Sequence, residues 1–282
     1  ALNAISYFWF TQFQRAGLAR NHILEVPHPL VWIVQRARPV MVEAIARRFI
    51  TGSLWRAYQQ GEREFCGIQL PDNLHANQRL SGILVTPSTK GVMRGLAGIP
   101  EADDTNLSRA QLTQHWRAFG FRSPDDIDHY EKLLKQGAEL IASHLAPLEL
   151  MLVDTKFEFG YANDSAGDEQ LIYMDEVGTP DSSRIWDAVA YRSGRVLENS
   201  KEEFRQALLR HVKDPQLLLD HTRFEERKQF AAAHALPAGM LHSVSDTYRA
   251  VAERIIGQPV VIPQEPRESM IATLNDQFAL VH

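Results

Sequence analysis

Apolar side chains recur along this chain with two different periods, and the switches between them outline its elements. At the start, Ile5, Phe8, Trp9 and Phe13 share one side of a 3.6-residue spiral, which predicts a buried amphipathic helix. Gly17 to Asn21 reads as a loop, and Pro27-His28-Pro29 bars a helix before the extended apolar run Leu30 to Val34. Met41 to Thr51 is β-branched and punctuated by charge; it reads as a strand, with a helix as the alternative. Gly52-Ser53 opens a short helix through Trp55 and Tyr58. Leu70 to Leu80 is irregular, Gly82 to Thr86 reads as a strand, and Gly91 to Asp104, rich in glycine, proline and acid, is expected to be a loop.

Further on, Asn106 or Ser108 caps a short helix reaching Trp116, and Ser123-Pro124-Asp125-Asp126 starts a longer one. That helix carries Ile127, Tyr130, Leu133, Leu134, Ile141 and Leu145 at helical spacing until Pro147. From Leu152 to Gly160 the period becomes two: Asp154, Lys156 and Glu158 fall on one face, Val153, Thr155, Phe157 and Phe159 on the other. The turn formers Asn163 to Asp168 predict an antiparallel hairpin in which Asp175 to Trp186 folds back and brings Asp175 toward the charged face. Ser200 to Val212, Asp214 to Ala235 and Ser243 to Ile256 read as helices separated by Pro215, Pro237-Ala238-Gly239 and Gly257, so the last third is expected to be helical.

Composition narrows the classes. With 282 residues, 44% of them hydrophobic, the chain suffices for one large domain or two ordinary ones. A net charge of −5 argues against a dedicated binder of nucleic acid or of membrane surfaces. No apolar run approaches the roughly 20 residues that span a bilayer. Cys66, the single cysteine, excludes an intrachain disulfide and fits a reducing, cytoplasmic setting. The sequence opens without methionine, already inside its first helix, so a preceding segment is expected.

Candidate chemistry concentrates on the alternating strand. Carboxylates and a lysine on one face suit Mg²⁺ and phosphate, since Mg²⁺ takes a few hard oxygens together with the phosphates of its substrate; the same pattern also describes an ordinary strand with a solvated face. Arg47 with Ser53 forms either a phosphate pocket at a helix start or a plain turn. Ser88-Thr89-Lys90 suits phosphate contact, although by itself an ordinary turn is the preferred reading. Phosphate-loop, dinucleotide-fold and nucleophile-elbow motifs do not occur, and the 11 histidines are scattered.

LVDTKFEFG at 152–160, followed by DEVGTPDSSRIW at 175–186, closely resembles the signature of the phosphoribosylaminoimidazole-succinocarboxamide (SAICAR) synthase family. Glu43-Ala44-Ile45-Ala46-Arg47 with Thr51-Gly52-Ser53 is similar to its second signature, and Thr86-Pro87-Ser88-Thr89-Lys90 to a segment of its longer members. Leu236-Pro237, Tyr248 and Gly257 are similar to the family's closing helix. The family's opening Gly-Lys-x-Arg-Asp strand and its Asp-Arg-Ile-Ser-Ala-Phe-Asp segment do not occur here, so the resemblance starts from the helix after them. Asp103-Asp104-Thr105-Asn106 stands where the family has His-Asp-Glu-Asn, and Met41-Val42 where a proline is usual before the glutamate.

The resemblance implies an α+β fold related to ATP-grasp enzymes, with antiparallel sheets and a helical C-terminal third. It implies residues 1–85 as the remainder of a nucleotide-binding domain, 86–200 as a central catalytic domain and 201–282 as helices packed on it. The implied reaction joins L-aspartate to the carboxylate of carboxyaminoimidazole ribonucleotide using ATP and Mg²⁺, by way of an acyl phosphate, in a cytoplasmic monomer or homodimer without nucleic-acid or membrane partners. On matching positions, Arg47, Ser53, Arg184 and Arg205, with Lys201 beside them, would hold the ribonucleotide. Glu158 and Asp175 would face ATP and its Mg²⁺; Asp154 and Lys156 would lie where the nucleotides meet, and Lys90 near the transferred phosphate. Two alternatives stand beside this: a non-catalytic ribonucleotide-binding protein, and a small-molecule kinase.

Overall fold

One long strand carries the architecture of the computed structural model, which describes residues 1–220 and 223–280. In chain order, α1 (Leu2–Arg15) leads into the hairpin β1 (Ile23–His28) and β2 (Val31–Val34), then β3 (Arg38–Pro39), β4 (Val42–Phe49) and α2 (Gly52–Gln59). The short pair β5 (Glu64–Phe65) and β6 (Ile68–Gln69) precedes β7 (Arg79–Val85) and β8 (Ser88–Thr89). After α3 (Arg109–Gln114) and α4 (Asp125–Leu145) come β9 (Leu150–Asn163), β10 (Glu169–Met174) and β11 (Ser183–Asp187). Helices complete the chain: α5 (Ala188–Arg192), α6 (Lys201–His211), α7 (Gln216–Leu219), α8 (Phe224–Ala233), α9 (Ala238–Ile256) and α10 (Pro266–Phe278). This is the expected α+β arrangement with a helical C-terminal third.

The main sheet runs β10-β9-β4-β7, with β11 and β3 also paired to β9 and β8 to β4. It draws on both the 1–85 and the 86–200 segments. Met41 to Thr51 proves to be a strand, because β4 is covered on both faces and its β-branched and aromatic residues suit that environment. The hairpin differs from the sequence expectation. β10 returns along the second half of β9, from Glu169↔Asn163 to Met174↔Glu158, whereas β11 pairs with the first half, Asp187↔Leu150 to Ser183↔Thr155. Asp175 and Gly178 adopt positive φ, and Pro180 has no N–H to give, so the ladder breaks between β10 and β11.

A second departure lies in β9 itself. Arg184 faces Asp154 and Ile185 faces Leu152, so Val153 is the extra residue of a bulge. Faces exchange there: Leu150 and Leu152 join the main core with Phe157 and Phe159, while Val153 packs with Phe49 and Trp186. Strict alternation therefore holds only from Asp154 onward, and Val153 does not share a face with Phe157.

Helices α1 and α4 cover the core face of the sheet. Phe13 meets Phe157 edge-on at 5.8 Å, and the Trp9 indole N–H donates to the Gly178 carbonyl at 3.1 Å. Gly178 is required by space as well as by its φ of 63°, since a Cβ there would lie 2.6 Å from the Trp9 ring. Ser108 caps α3 through a reciprocal capping box with Gln111, and α4 gathers Asp125, Asp126 and Asp128 in its first turn, where the helix dipole favours them.

At the C-terminal end, α9 starts at Ala238, directly after Pro237, and contributes Val251, Ala252 and Ile255 to the main core. The expected helix from Asp214 to Ala235 is instead α7 and α8; its positions 221 and 222 lie outside the described residues. None of the α10 side chains is buried, so this helix left no amphipathic signature to read. Among the described residues no helix is long and apolar enough to cross a membrane.

Candidate active site

Three strands bring an Arg-Asp-Arg row together. Arg47 on β4 and Arg184 on β11 are the direct cross-strand partners of Asp154 on β9, one on each side. The Arg47 Nη1 donates to Asp154 Oδ2 at 3.3 Å, Arg184 Nη1 donates to the same oxygen, and the Arg184 backbone N–H donates to Oδ1 at 3.3 Å. Arg47 also donates from Nε to Thr86 Oγ1 at 2.8 Å and from Nη2 to Ser53 Oγ at 3.1 Å. Ser53 belongs to the first turn of α2, whose backbone amides open on the same place. Gly52 lets this happen: its φ is 57°, and a Cβ would stand 2.8 Å from Arg184 Nη2.

Burial is nearly complete for Arg47 and Asp154, so this face of the strand is not a solvated one. Burial pulls the Arg47 guanidinium below its ordinary value, with Asp154 opposing. For Arg184 burial also works against the charge, yet Asp154 and Glu202 leave it raised. Two guanidiniums against one carboxylate leave excess positive charge beside a helix start, an arrangement suited to a phosphate.

Two residues further along β9, about 7 Å away, a second cluster forms. Lys156 Nζ donates to Glu43 Oε1 at 3.1 Å and to Glu158 Oε1 at 3.2 Å, while Glu158 Oε2 takes Lys90. Lys90 is delivered by β8, whose Ser88 and Thr89 pair with Glu43 and Val42, and its backbone N–H donates to the Met41 carbonyl at 3.2 Å. Burial opposes the Lys156 charge, but Glu43 and Glu158 raise its pKa overall, so it is an ammonium throughout the neutral range. Burial would raise Glu158 too; hydrogen bonds and charge from Lys90 and Lys156 outweigh it and hold the carboxyl below its ordinary range. The Lys90 side chain is 35% exposed and is the accessible end of this cluster.

The other sequence candidates stand at the rim. Lys201 pairs with Asp181 at 3.5 Å, and Arg205 with Glu202 at 3.6 Å. Glu202 also reaches Arg184 at 3.5 Å, so Arg205 joins the Arg-Asp-Arg row through it. Asp175 follows Met174, the partner of Glu158, but its charge acts on His22 and Glu176; among the described residues no ion pair joins it to Lys90 or Lys156.

Several neighbours of the site were not among the sequence candidates. Glu43 lies on the same face of β4 as Arg47, a period-two relation visible in the sequence. Glu202, three residues before Arg205 on α6, carried the helical signal. Thr86 and Glu176 carried no periodic signal, although both lie in stretches that resemble the family's. Glu176 is raised by burial and accepts from Thr179 Oγ1 at 2.8 Å. Cys66, φ 54°, is half-buried and pushed up to about 11 by burial, consistent with packing.

An Arg-Asp-Arg row beside a helix start and a lysine-carboxylate cluster, two residues apart on one strand, suit an enzyme that acts on phosphorylated substrates. The comparisons sharpen it. A family profile described as SAICAR synthetase matches residues 1–217. The phosphoribosylaminoimidazole-succinocarboxamide synthase of Aeromonas salmonicida is 57% identical over 281 residues, covering 100% of this chain and 77% of that protein. That of Vibrio cholerae is 54% identical, with 100% and 76% covered. Among solved structures, a Saccharomyces cerevisiae SAICAR synthase complexed with SAICAR aligns at a TM-score of 0.66 and 22% identity, covering 93% of this chain and 82% of that one. A SAICAR synthetase in complex with ADP aligns at 0.59 and 21%, with 93% and 82% covered; at such identity these two speak for the fold. This chain belongs to the SAICAR synthetase family. The activity that goes with it is the ATP-dependent ligation of aspartate in purine biosynthesis, and neither the non-catalytic reading nor the kinase is favoured.

Proposed function

We propose that the two clusters divide the reaction between them, the Arg-Asp-Arg row holding the 5′-phosphate of carboxyaminoimidazole ribonucleotide and the lysine-carboxylate cluster serving phosphoryl transfer. The observation that carries this is Asp154 and Lys156, two residues apart on β9, each the hub of one cluster. Arg47, Ser53 and Arg184 bind the phosphate, with Arg205 and Lys201 closing over it. Lys90 and Lys156 neutralise charge on the phosphoryl group as it passes from ATP to the substrate carboxylate, a poor electrophile until it becomes an acyl phosphate. The aspartate amine then forms the amide C–N bond and sheds a proton to solvent, the acyl C–O bond breaks, and phosphate leaves with the electron pair.

Glu158, held ionised below its ordinary range, and Asp175, which follows the strand partner of Glu158, are hard oxygen donors that suit a Mg²⁺ held partly by phosphates. Among the described residues no three His, Cys, Asp or Glu side chains converge to cage a metal, and Mg²⁺ commonly uses only one or two carboxylates beside phosphate oxygens. Glu158 and Asp175 would hold it. Bound there, it would supply charge neutralisation at the transferred phosphoryl. The small-molecule substrates, a cytoplasmic location, a monomer or homodimer and the division at 85 and 200 belong to the same reading.

Steady-state kinetics separates the two roles. Arg47→Ala is expected to raise KM for the ribonucleotide by roughly tenfold or more, as the loss of a charged hydrogen-bonding partner implies, with KM for ATP little changed. Lys90→Met is expected to lower kcat with a smaller effect on the ribonucleotide KM. The reverse pattern would contradict the assignment.

A further inference from the structure

Glu202 stands where an anionic substrate group would be expected. It is the second residue of α6, and the Ser200 cap accepts its backbone N–H at 3.4 Å. Its Oε2 lies 3.5 Å from Arg184 Nη2 and 3.6 Å from Arg205 Nη1, and its Oε1 accepts from Gln206 Nε2 at 2.9 Å. One carboxylate thus bridges the two guanidiniums that frame the rim of the anion pocket. We infer that Glu202 is a displaceable internal competitor for the ribonucleotide phosphate, occupying Arg184 and Arg205 until that phosphate arrives. The inference rests on the assignment of those arginines to the phosphate.

Comparison with Asp154 shows why Glu202 is the carboxylate that yields. Asp154 sits on the central strand, is 7% exposed in its side chain, and is pinned by Arg47, by Arg184 and by a backbone N–H. Glu202 is 23% exposed, at a helix start, and its contacts to both arginines exceed ordinary hydrogen-bond length. Charge argues the same way. Arg47, Arg56, Arg184 and Arg205 against Asp154, Glu198 and Glu202 leave one positive charge; with Glu202 withdrawn the pocket carries two. A phosphate monoester brings about −1.5 to −2 at neutral pH, so only the pocket without Glu202 is matched to it. Gln206, one helical turn along, already holds Oε1 and can keep the side chain when it lets go of the arginines.

A purely structural Glu202 would have the opposite signature. If it served to orient Arg184 and Arg205, its removal would loosen them and weaken phosphate binding; as a competitor, its removal tightens binding. Titration calorimetry of the protein with carboxyaminoimidazole ribonucleotide, and separately with inorganic phosphate, reads the sign. Glu202→Gln, which keeps shape and removes charge, is expected to bind both ligands roughly three- to tenfold more tightly, the range of a partly exposed ion pair, and to lower the ribonucleotide KM. Glu202→Asp, with the charge on a shorter arm, is expected to fall between it and the wild type. Unchanged or weaker binding by Glu202→Gln overturns the inference, and Glu202→Ala repeats the test independently of the glutamine. Arg47→Ala in the same titrations keeps the two levels apart. If it binds phosphate as the wild type does, the pocket assignment fails; if it binds weakly while Glu202→Gln is unchanged, only the competitor role fails.

Discussion

Lys156 is held at 3.1 Å by Glu43 and at 3.2 Å by Glu158, and this pairing decides its chemistry. A lysine kept cationic cannot be a base; it can only stabilise negative charge. Lys156→Met is therefore expected to lower kcat by about 10²–10³-fold, the loss that follows removal of one preorganised donor, with the fold retained by circular dichroism. Glu158 carries the matching pH dependence. Its pKa is lower in the folded protein than the ordinary 4.5, because Lys90 and Lys156 outweigh the effect of burial. Its contribution to stability is thus fully present above pH 4.5 and is lost as pH falls through the lower, folded value. Glu158→Gln is expected to flatten the acid limb of the stability curve as pH falls below about 4.5, measured as urea midpoints; an unaltered slope would show that its lysine contacts do not hold in solution.

At the scale of elements, β9 explains both what could be read from sequence and what could not. The charged run Asp154, Lys156, Glu158 was legible because side chains alternate along a strand, whereas Arg47 was legible from its place shortly before the Gly52-Ser53 helix start and from the family resemblance. The bulge at Val153 was not, since one inserted residue leaves the composition of a strand unchanged while reversing its faces. Nor was the division of labour between β10 and β11, which depends on where the ladder breaks at Asp175, Gly178 and Pro180. Thr86 enters the site only through a tertiary contact, which no local period encodes. The turn from β4 into α2 was legible as Gly-Ser, but not the reason for glycine. Gly52→Ala is expected to cost about 1–2 kcal/mol for the left-handed backbone alone, and to weaken ribonucleotide binding, because its Cβ would push Arg184 off Asp154. Calorimetric melting together with the ribonucleotide KM checks both parts; an unaffected KM would mean that Arg184 has room to spare.

For the whole molecule, the sheet that bears the site is braced from behind by α1, α4 and α9. Trp9 ties α1 to the loop between β10 and β11, and His144 of α4 bonds the Ile255 carbonyl of α9 at 2.9 Å. Ile255 is 2% exposed, so Ile255→Ala is expected to destabilise the protein by about 2–5 kcal/mol through a core cavity. Changing exposed Ile271 on α10 to alanine should stay within about 0.5 kcal/mol. Equal effects in thermal melts would contradict the layering described above. That frame matters because α6 and α9 bring Arg205 and Tyr248 beside Asp181 and Glu176, so the helical third borders the charged clusters on the sheet. The most direct test of the central claim is phosphate release by the protein with ATP, Mg²⁺, L-aspartate and carboxyaminoimidazole ribonucleotide, omitting each in turn. Phosphate and the succinyl amide product in equal amounts, turning over only when all four are present, is the predicted result; ADP formation that turns over repeatedly without aspartate, or no turnover with the full set, would contradict it.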